Sequence, residues 1–183
     1  MRIFAWFLVL QAPLAVFSPA APLPDFGVLL NDDGDFSFTS LDPAESVRNL
    51  KAQVDSLAGT SVKTLTWSVG AGSEILYYPT KVANVWGWRP IPEKYEKAFG
   101  SWSRKAQAGL AAGVDPIRVV GERAKALGIY FVPSYRMNDD HFIFDPMEYP
   151  LTGKFWLENK ALMSTMAISS TSATRRSVNS GWM

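Results

Sequence analysis

The chain reads as an α/β protein built on a parallel sheet. Short apolar runs at Gly27–Leu30, Val62–Trp67 and Ile129–Val132 have the length of buried strands and show no alternation. Helices with clear start and stop signals separate them, and strands alternating with helices imply a parallel sheet.

The first helix is signalled by Asp42 as N-cap, Pro43 at the first helical position and Glu45 completing a capping box. Val47, Leu50, Val54 and Leu57 then recur at spacings of three and four, which makes one apolar face, and Gly59 closes the helix. A strand–helix–strand unit with such short connections is parallel and right-handed. Residues 71–95 are rich in aromatics, Gly and Pro and read as an elaborate loop. Glu93 to about Ala112 predicts another helix, with Gly100 as its weak point. A further helix has Asp115 as cap, Pro116 at its start, Ile117, Val120, Ala124 and Leu127 on one face, and Gly128 as terminator.

The 183 residues are 48% hydrophobic, enough to build a core, and 18 basic residues balance 17 acidic ones. A net charge of +1 offers no basic stripe for a nucleic-acid partner. Cysteine is absent, which removes disulfide and thiolate chemistry. No GxSxG, HExxH, P-loop or GxGxxG fingerprint is present, so nucleophile-elbow hydrolases, zincins and nucleotide binders are disfavoured. No cofactor and no resident metal are expected.

Residues 1–22 read as a secretory signal peptide. Arg2 is the positive end, Ile3–Leu10 opens the apolar stretch, and Ser18, Pro19, Ala20 and Ala21 supply small residues for cleavage. Gln11 and Pro13 interrupt the apolar stretch, which is short of the roughly 20 residues of a membrane span. The expected location is secreted or periplasmic, with no membrane association after cleavage. An uncleaved anchor or a buried N-terminal segment is the alternative.

Function in parallel α/β folds gathers at the carboxyl ends of strands. Asn31, Asp32 and Asp33 follow the first strand, Trp67 ends the second, and Arg136, Asn138, Asp139, Asp140 and His141 follow the third. Carboxylates and amides accept or share hydrogen bonds, Arg donates a fork, and Trp offers a stacking face, a set suited to sugar hydroxyls and rings. Trp86 and Trp88 in the aromatic loop join the candidate substrate-binding residues. Each has a plainer explanation. The Asn31–Asp35 stretch suits a turn, tryptophans commonly fill cores, and Arg136 can simply pair with Asp32 or Asp33. His141, the chain's only histidine, is either a hydrogen-bonded structural residue or, with Asp139 and Asp140, a candidate for acid–base or metal chemistry.

Four segments together resemble the N-terminal part of secreted glycoside-hydrolase-like proteins related to the family-10-like glycosyl hydrolases. They are LLNDDGDF, YYPTKVANVWGW, GVDPIRVVGERAKALGIYFVPSYRMNDDH and KFWLENK, within about residues 25–161. The resemblance implies the N-terminal part of a (β/α)8 TIM barrel with a carbohydrate-directed cleft and a poly- or oligosaccharide partner. A barrel takes about 250 residues, so residues 23–161 are expected to be a partial barrel of about three strands. The segment 162–183, rich in Ser and Thr and without apolar periodicity, is expected to be a disordered or out-of-frame tail. Barrel glycosidases tend to draw their two carboxylates from later strands. The chain is therefore expected to be an inactive fragment of a hydrolase with exposed sheet edges. The alternatives are a non-catalytic sugar-binding or cell-envelope interaction protein that uses the aromatic loop Tyr77 to Trp88, and a metal-dependent hydrolase of another class using His141 and the neighbouring Asp residues.

Overall fold

The computed structural model describes residues 25–72, 74–136, 145–159 and 161. The signal-peptide assignment to 1–22, the tail 162–183, and the candidates Asn138, Asp139, Asp140 and His141 lie outside the described residues. In chain order the elements are β1 (Val28–Asp32), α1 (Pro43–Asp55), β2 (Val62–Ser68), β3 (Gly70–Ala71), β4 (Ile75–Leu76) and β5 (Asn84–Val85). They continue with α2 (Glu93–Tyr95), a π-helical turn (Glu96–Gly100), α3 (Ser101–Ala111), α4 (Pro116–Ala126), β6 (Tyr130–Ser134) and α5 (Lys154–Glu158). The chain is a mixed α/β protein.

The main sheet has the order β1-β2-β6, both pairings parallel, and all three strands fall on the predicted apolar runs. Only β2 is buried as expected: Val28, Leu29 and Leu30 of β1 and Tyr130 and Val132 of β6 are exposed, since among the described residues the outer strands have one neighbour each and helices on one face only. Leu30 lies opposite Leu65, and Leu65 opposite Phe131. Residues paired in this way share a face. On that face Leu65 and Trp67 are buried with Leu50 and Val54 of α1 and Val120 and Ala124 of α4. Burying each large aliphatic side chain there contributes roughly 1.5–3 kcal/mol. The opposite face carries Leu29, Thr64 and Tyr130 in one row and Asn31, Thr66 and Val132 in the next. Leu29 and Val132 are exposed there. Among the described residues β1 and β6 each pair only with β2.

The caps behave largely as the residue types require. Asp115 accepts from the Arg118 N–H at 3.2 Å and Pro116 opens α4. At the other end Gly128 has φ +72°, and the Gly128 and Ile129 N–H groups return to the carbonyls of Lys125 and Ala124. Asp42 caps α1 by accepting from the Ala44 N–H at 2.9 Å. The capping box does not form, because Glu45 accepts from the Ser40 hydroxyl at 2.7 Å while the Asp42 N–H donates to that same hydroxyl oxygen. Helix α1 ends at Asp55 rather than at Gly59, and the intervening residues form successive turns.

The long connection after β2 holds more structure than expected. Its strands β3, β4 and β5 form a second sheet, with β3 antiparallel and β5 parallel to β4. Two-residue strands are too short to display periodicity. Over this sheet sits a second core of Phe38, Ile75, Tyr77, Trp86, Ala106 and Leu151. The helix expected over Glu93–Ala112 is broken into α2, the π turn and α3. Gly100 marks the junction, and a Cβ there would collide with the Glu96 carboxylate.

Candidate functional site

The carboxyl ends of β1 and β6 lie on either side of β2, and the polar residues that follow them diverge in their uses. Asn31 Oδ1 accepts from the Thr66 hydroxyl at 2.8 Å, across to the neighbouring strand. Asp32 Oδ1 accepts from the Gly34 N–H at 2.8 Å and closes a turn. Ser37 donates to the Gly34 carbonyl from both its N–H, at 3.1 Å, and its hydroxyl, at 2.7 Å. Gly34 has φ +71°, and a Cβ there would collide with the Ser68 carbonyl. The turn explanation of this stretch therefore holds for Asp32. It turns Asp33 toward β6, where its Oδ1 lies 2.9 Å from Arg136 Nη2.

Asp33 and Arg136 stand at a cleft of about 230 Å³, with Asp35 beside them. Its walls are aromatic: Phe99 from the π turn, Trp102 from α3 and Tyr149 from the segment before α5 are half-buried there, and the fully buried Tyr77 of the second core lies against them. The π turn and the start of α3 carry Phe99 and Trp102 with stacked rings, 6.4 Å between centroids. Such turns occur frequently at functional sites. Phe99 also meets Tyr149 edge-on at 5.6 Å.

Tyr149 is fixed by a clasp. Arg89 donates to the Met147 carbonyl at 3.0 Å and to the Tyr149 carbonyl. Lys94 bridges Asp145, at 2.6 Å, and Glu148. The Tyr95 hydroxyl donates to Asp145 at 2.7 Å, and its ring meets the Tyr149 ring edge-on at 5.5 Å. These contacts hold the Asp145 carboxyl below its ordinary pKa, through the hydrogen bond from Lys94 first and from Tyr95 second. The same bonds raise Lys94 and Tyr95 above their ordinary values. Burial draws the Arg89 guanidinium down from its usual value.

The structure thus brings together two of the sequence-predicted site residues, Asp33 and Arg136. The three tryptophans expected to stack on substrate have other positions. Trp67 is buried beneath the main sheet against α1 and α4, and Trp86 is fully buried in the second core. Their indoles are better served by packing than by exposure, as is usual for so large an apolar surface. Trp88 packs on the outside of the second core, with the Arg89 guanidinium 5.7 Å from its ring centroid. Of the residues that line the cleft, Tyr77 opens the aromatic loop that the sugar-binding alternative invoked, whereas Phe99, Trp102 and Tyr149 went unpredicted. These three come from the π turn, α3 and the segment before α5, and no single stretch of sequence groups them. Among the described residues no three His, Asp or Glu side chains gather as a metal-ligand set, and no helix is long and apolar enough to cross a membrane.

No family model matches the chain, and no curated protein matches it.

Proposed function

We propose that this chain carries the saccharide-binding rim of a glycoside-hydrolase-like (β/α) barrel acting outside the cytoplasm. The observation that carries this reading is the Asp33–Arg136 pair set at the carboxyl rim of a parallel sheet, over a cleft walled by the half-buried Phe99, Trp102 and Tyr149. A pyranose has an apolar C–H face and a polar edge of hydroxyls. Aromatic walls suit the first, and a carboxylate and a guanidinium suit the second. Strand order supports a barrel. The strands run β1-β2-β6 without a switch point, and α1 and α4 lie on one face, leaving the other for a barrel interior.

Hydrolysis of a glycosidic bond takes an acid and a second carboxylate about 5–10 Å apart, depending on the stereochemical course. Asp33 is paired with Arg136, an arrangement suited to holding a hydroxyl between them. This engagement favours a second reading for the chain by itself, namely binding without turnover. The candidates Asp139, Asp140 and His141 follow Arg136 within five residues in the sequence and are proposed, where catalysis occurs, as its acid–base groups.

Calorimetric titration of the full chain against a panel of neutral and acidic oligosaccharides, with reducing-end release assayed in parallel, tests both readings. Saccharide binding that weakens in Asp33→Asn is expected, without release of reducing ends. Absence of binding across the panel removes the saccharide reading. Release of reducing ends that is lost in Asp139→Asn restores the hydrolase reading for this chain.

A further inference from the structure

A second cavity of about 550 Å³ adjoins the cleft. Asp35 and Trp102 line both, so the two share a wall. The second cavity lies between the turn that follows β1 and the outer side of α3. Phe36 and Phe38 give it an apolar lining, Thr39 adds a hydroxyl, and Lys105 stands at its α3 side. Phe36 is 65% exposed, an aromatic ring left open to solvent beside a cavity. Phe38 is buried, pressed against Gly109, where a Cβ would meet its ring. Two phenylalanines two positions apart therefore serve different ends, one anchoring the turn and one facing outward.

The charges are placed unevenly. Lys105 forms no ion pair among the described residues, although its neighbour Arg104 pairs with Glu96. Lys105 borders the second cavity alone, whereas Asp35 belongs to the shared wall. A sugar unit in the second cavity that turns a carboxylate toward Lys105 pairs that ammonium, with its apolar face on Phe36.

We propose that the second cavity is an adjoining subsite for an acidic sugar unit, so that the ligand is an oligosaccharide containing a uronate. This inference rests on the saccharide reading of the cleft and adds to it the ligand's length and charge.

The test uses the full chain and a set of uronate mono- and trisaccharides, namely galacturonate, glucuronate and mannuronate, each as the free acid and as its methyl ester. Neutral gluco- and xylotrioses complete the set. At least one acidic trisaccharide is expected to bind about tenfold more tightly than its ester, the scale of one charge-assisted hydrogen bond. Lys105→Gln should abolish that preference. Asp33→Asn should weaken acid and ester alike, because it acts in the first cavity. Equal affinity for acid and ester, or a preference that survives Lys105→Gln, overturns the subsite while leaving the saccharide cleft standing. Monosaccharides binding as tightly as trisaccharides overturns it as well. Failure of every saccharide, neutral ones included, sinks the saccharide reading and the subsite with it. Matching circular dichroism spectra of the variants exclude misfolding as the cause.

Discussion

Arg136 reaches from the end of β6, across the end of β2, to Asp33 beyond β1, closing a 2.9 Å ion pair over two strand spacings. The pair joins the two outer strands of the sheet at the rim where the cleft opens. Both side chains remain substantially exposed, at 36% and 58%. Exposed pairs of this kind contribute at most about 1 kcal/mol.

Arg136→Gln is accordingly expected to cost no more than about 1 kcal/mol in urea unfolding while weakening saccharide binding about tenfold. A large loss of stability with unchanged binding would make the pair structural only.

Two glycines with similar backbone angles should differ sharply when changed to alanine. Gly34 (φ +71°) would drive its new Cβ into the Ser68 carbonyl, whereas Gly59 (φ +73°) has open space around it. Gly59→Ala should cost about 1 kcal/mol, the ordinary cost of the left-handed conformation, and Gly34→Ala clearly more, since a backbone atom has to move. Equal melting shifts for the two variants would contradict this.

Trp86 is fully buried, its ring against Phe99 and Trp102. Trp86→Ala should destabilise the chain by about 3–5 kcal/mol, as other large-to-small core changes do. A stable Trp86→Ala protein that had lost only ligand affinity would return Trp86 to the binding surface.

The clasp on Tyr149 has a defined pH window. The Asp145 value is lowered, by the Lys94 hydrogen bond first, so its contribution is complete above about pH 4 and is lost as the pH falls through the depressed value. Tyr95 has the opposite sign. Its value is raised by Asp145, so its contribution is complete below about pH 10 and is lost as the pH rises through the raised value. The Tyr149 ring resonances should therefore be constant between these limits and shift on acidification, and Lys94→Met should move the acid transition upward. An unmoved transition would show that the Lys94 bridge does not hold the clasp.

The open sheet should show in solution. Among the described residues β1 and β6 have no outer partner, and Leu29 and Val132 are exposed on the uncovered face. Such edges favour association. Sedimentation of the chain is expected to reveal self-association that Val132→Lys reduces. An unchanged mass distribution would mean that another surface is responsible.

The elements that residue patterns revealed are those held by local chemistry. Asp115, Pro116 and Gly128 mark both ends of α4, and the apolar runs mark β1, β2 and β6, because caps and apolar runs are written in adjacent residues, whereas the burial of a strand depends on what covers it. What stayed hidden lacks such a signal. Gly100 had been expected as a weak point but the π turn it ends had not, two-residue strands are too short to show periodicity, and the Ser40 hydroxyl, five residues from Glu45, takes the carboxylate that a capping box would use. The site followed the same division. Asp33 and Arg136 were legible because strand ends announce a rim, and Arg136 had been expected to meet Asp32 or Asp33. Tyr149 was not, since its place in the cleft depends on Arg89 and Lys94, more than fifty residues earlier. Trp67 and Trp86 misled because an indole suits a core as well as a sugar, and composition alone does not choose between them.

The rings of Trp86 and Trp102 lie 4.5 Å apart and tilted by 46°. Two chromophores that close, neither parallel nor perpendicular, couple their electronic transitions, and the pair acquires a handedness. Their optical activity belongs to the loop-side core alone, because Trp67 lies in the other core beneath the main sheet. Loosening of the aromatic packing extinguishes such a signal even where the helical backbone signal persists. The chain thus contains its own spectroscopic label for the loop-side core, one that needs no added dye.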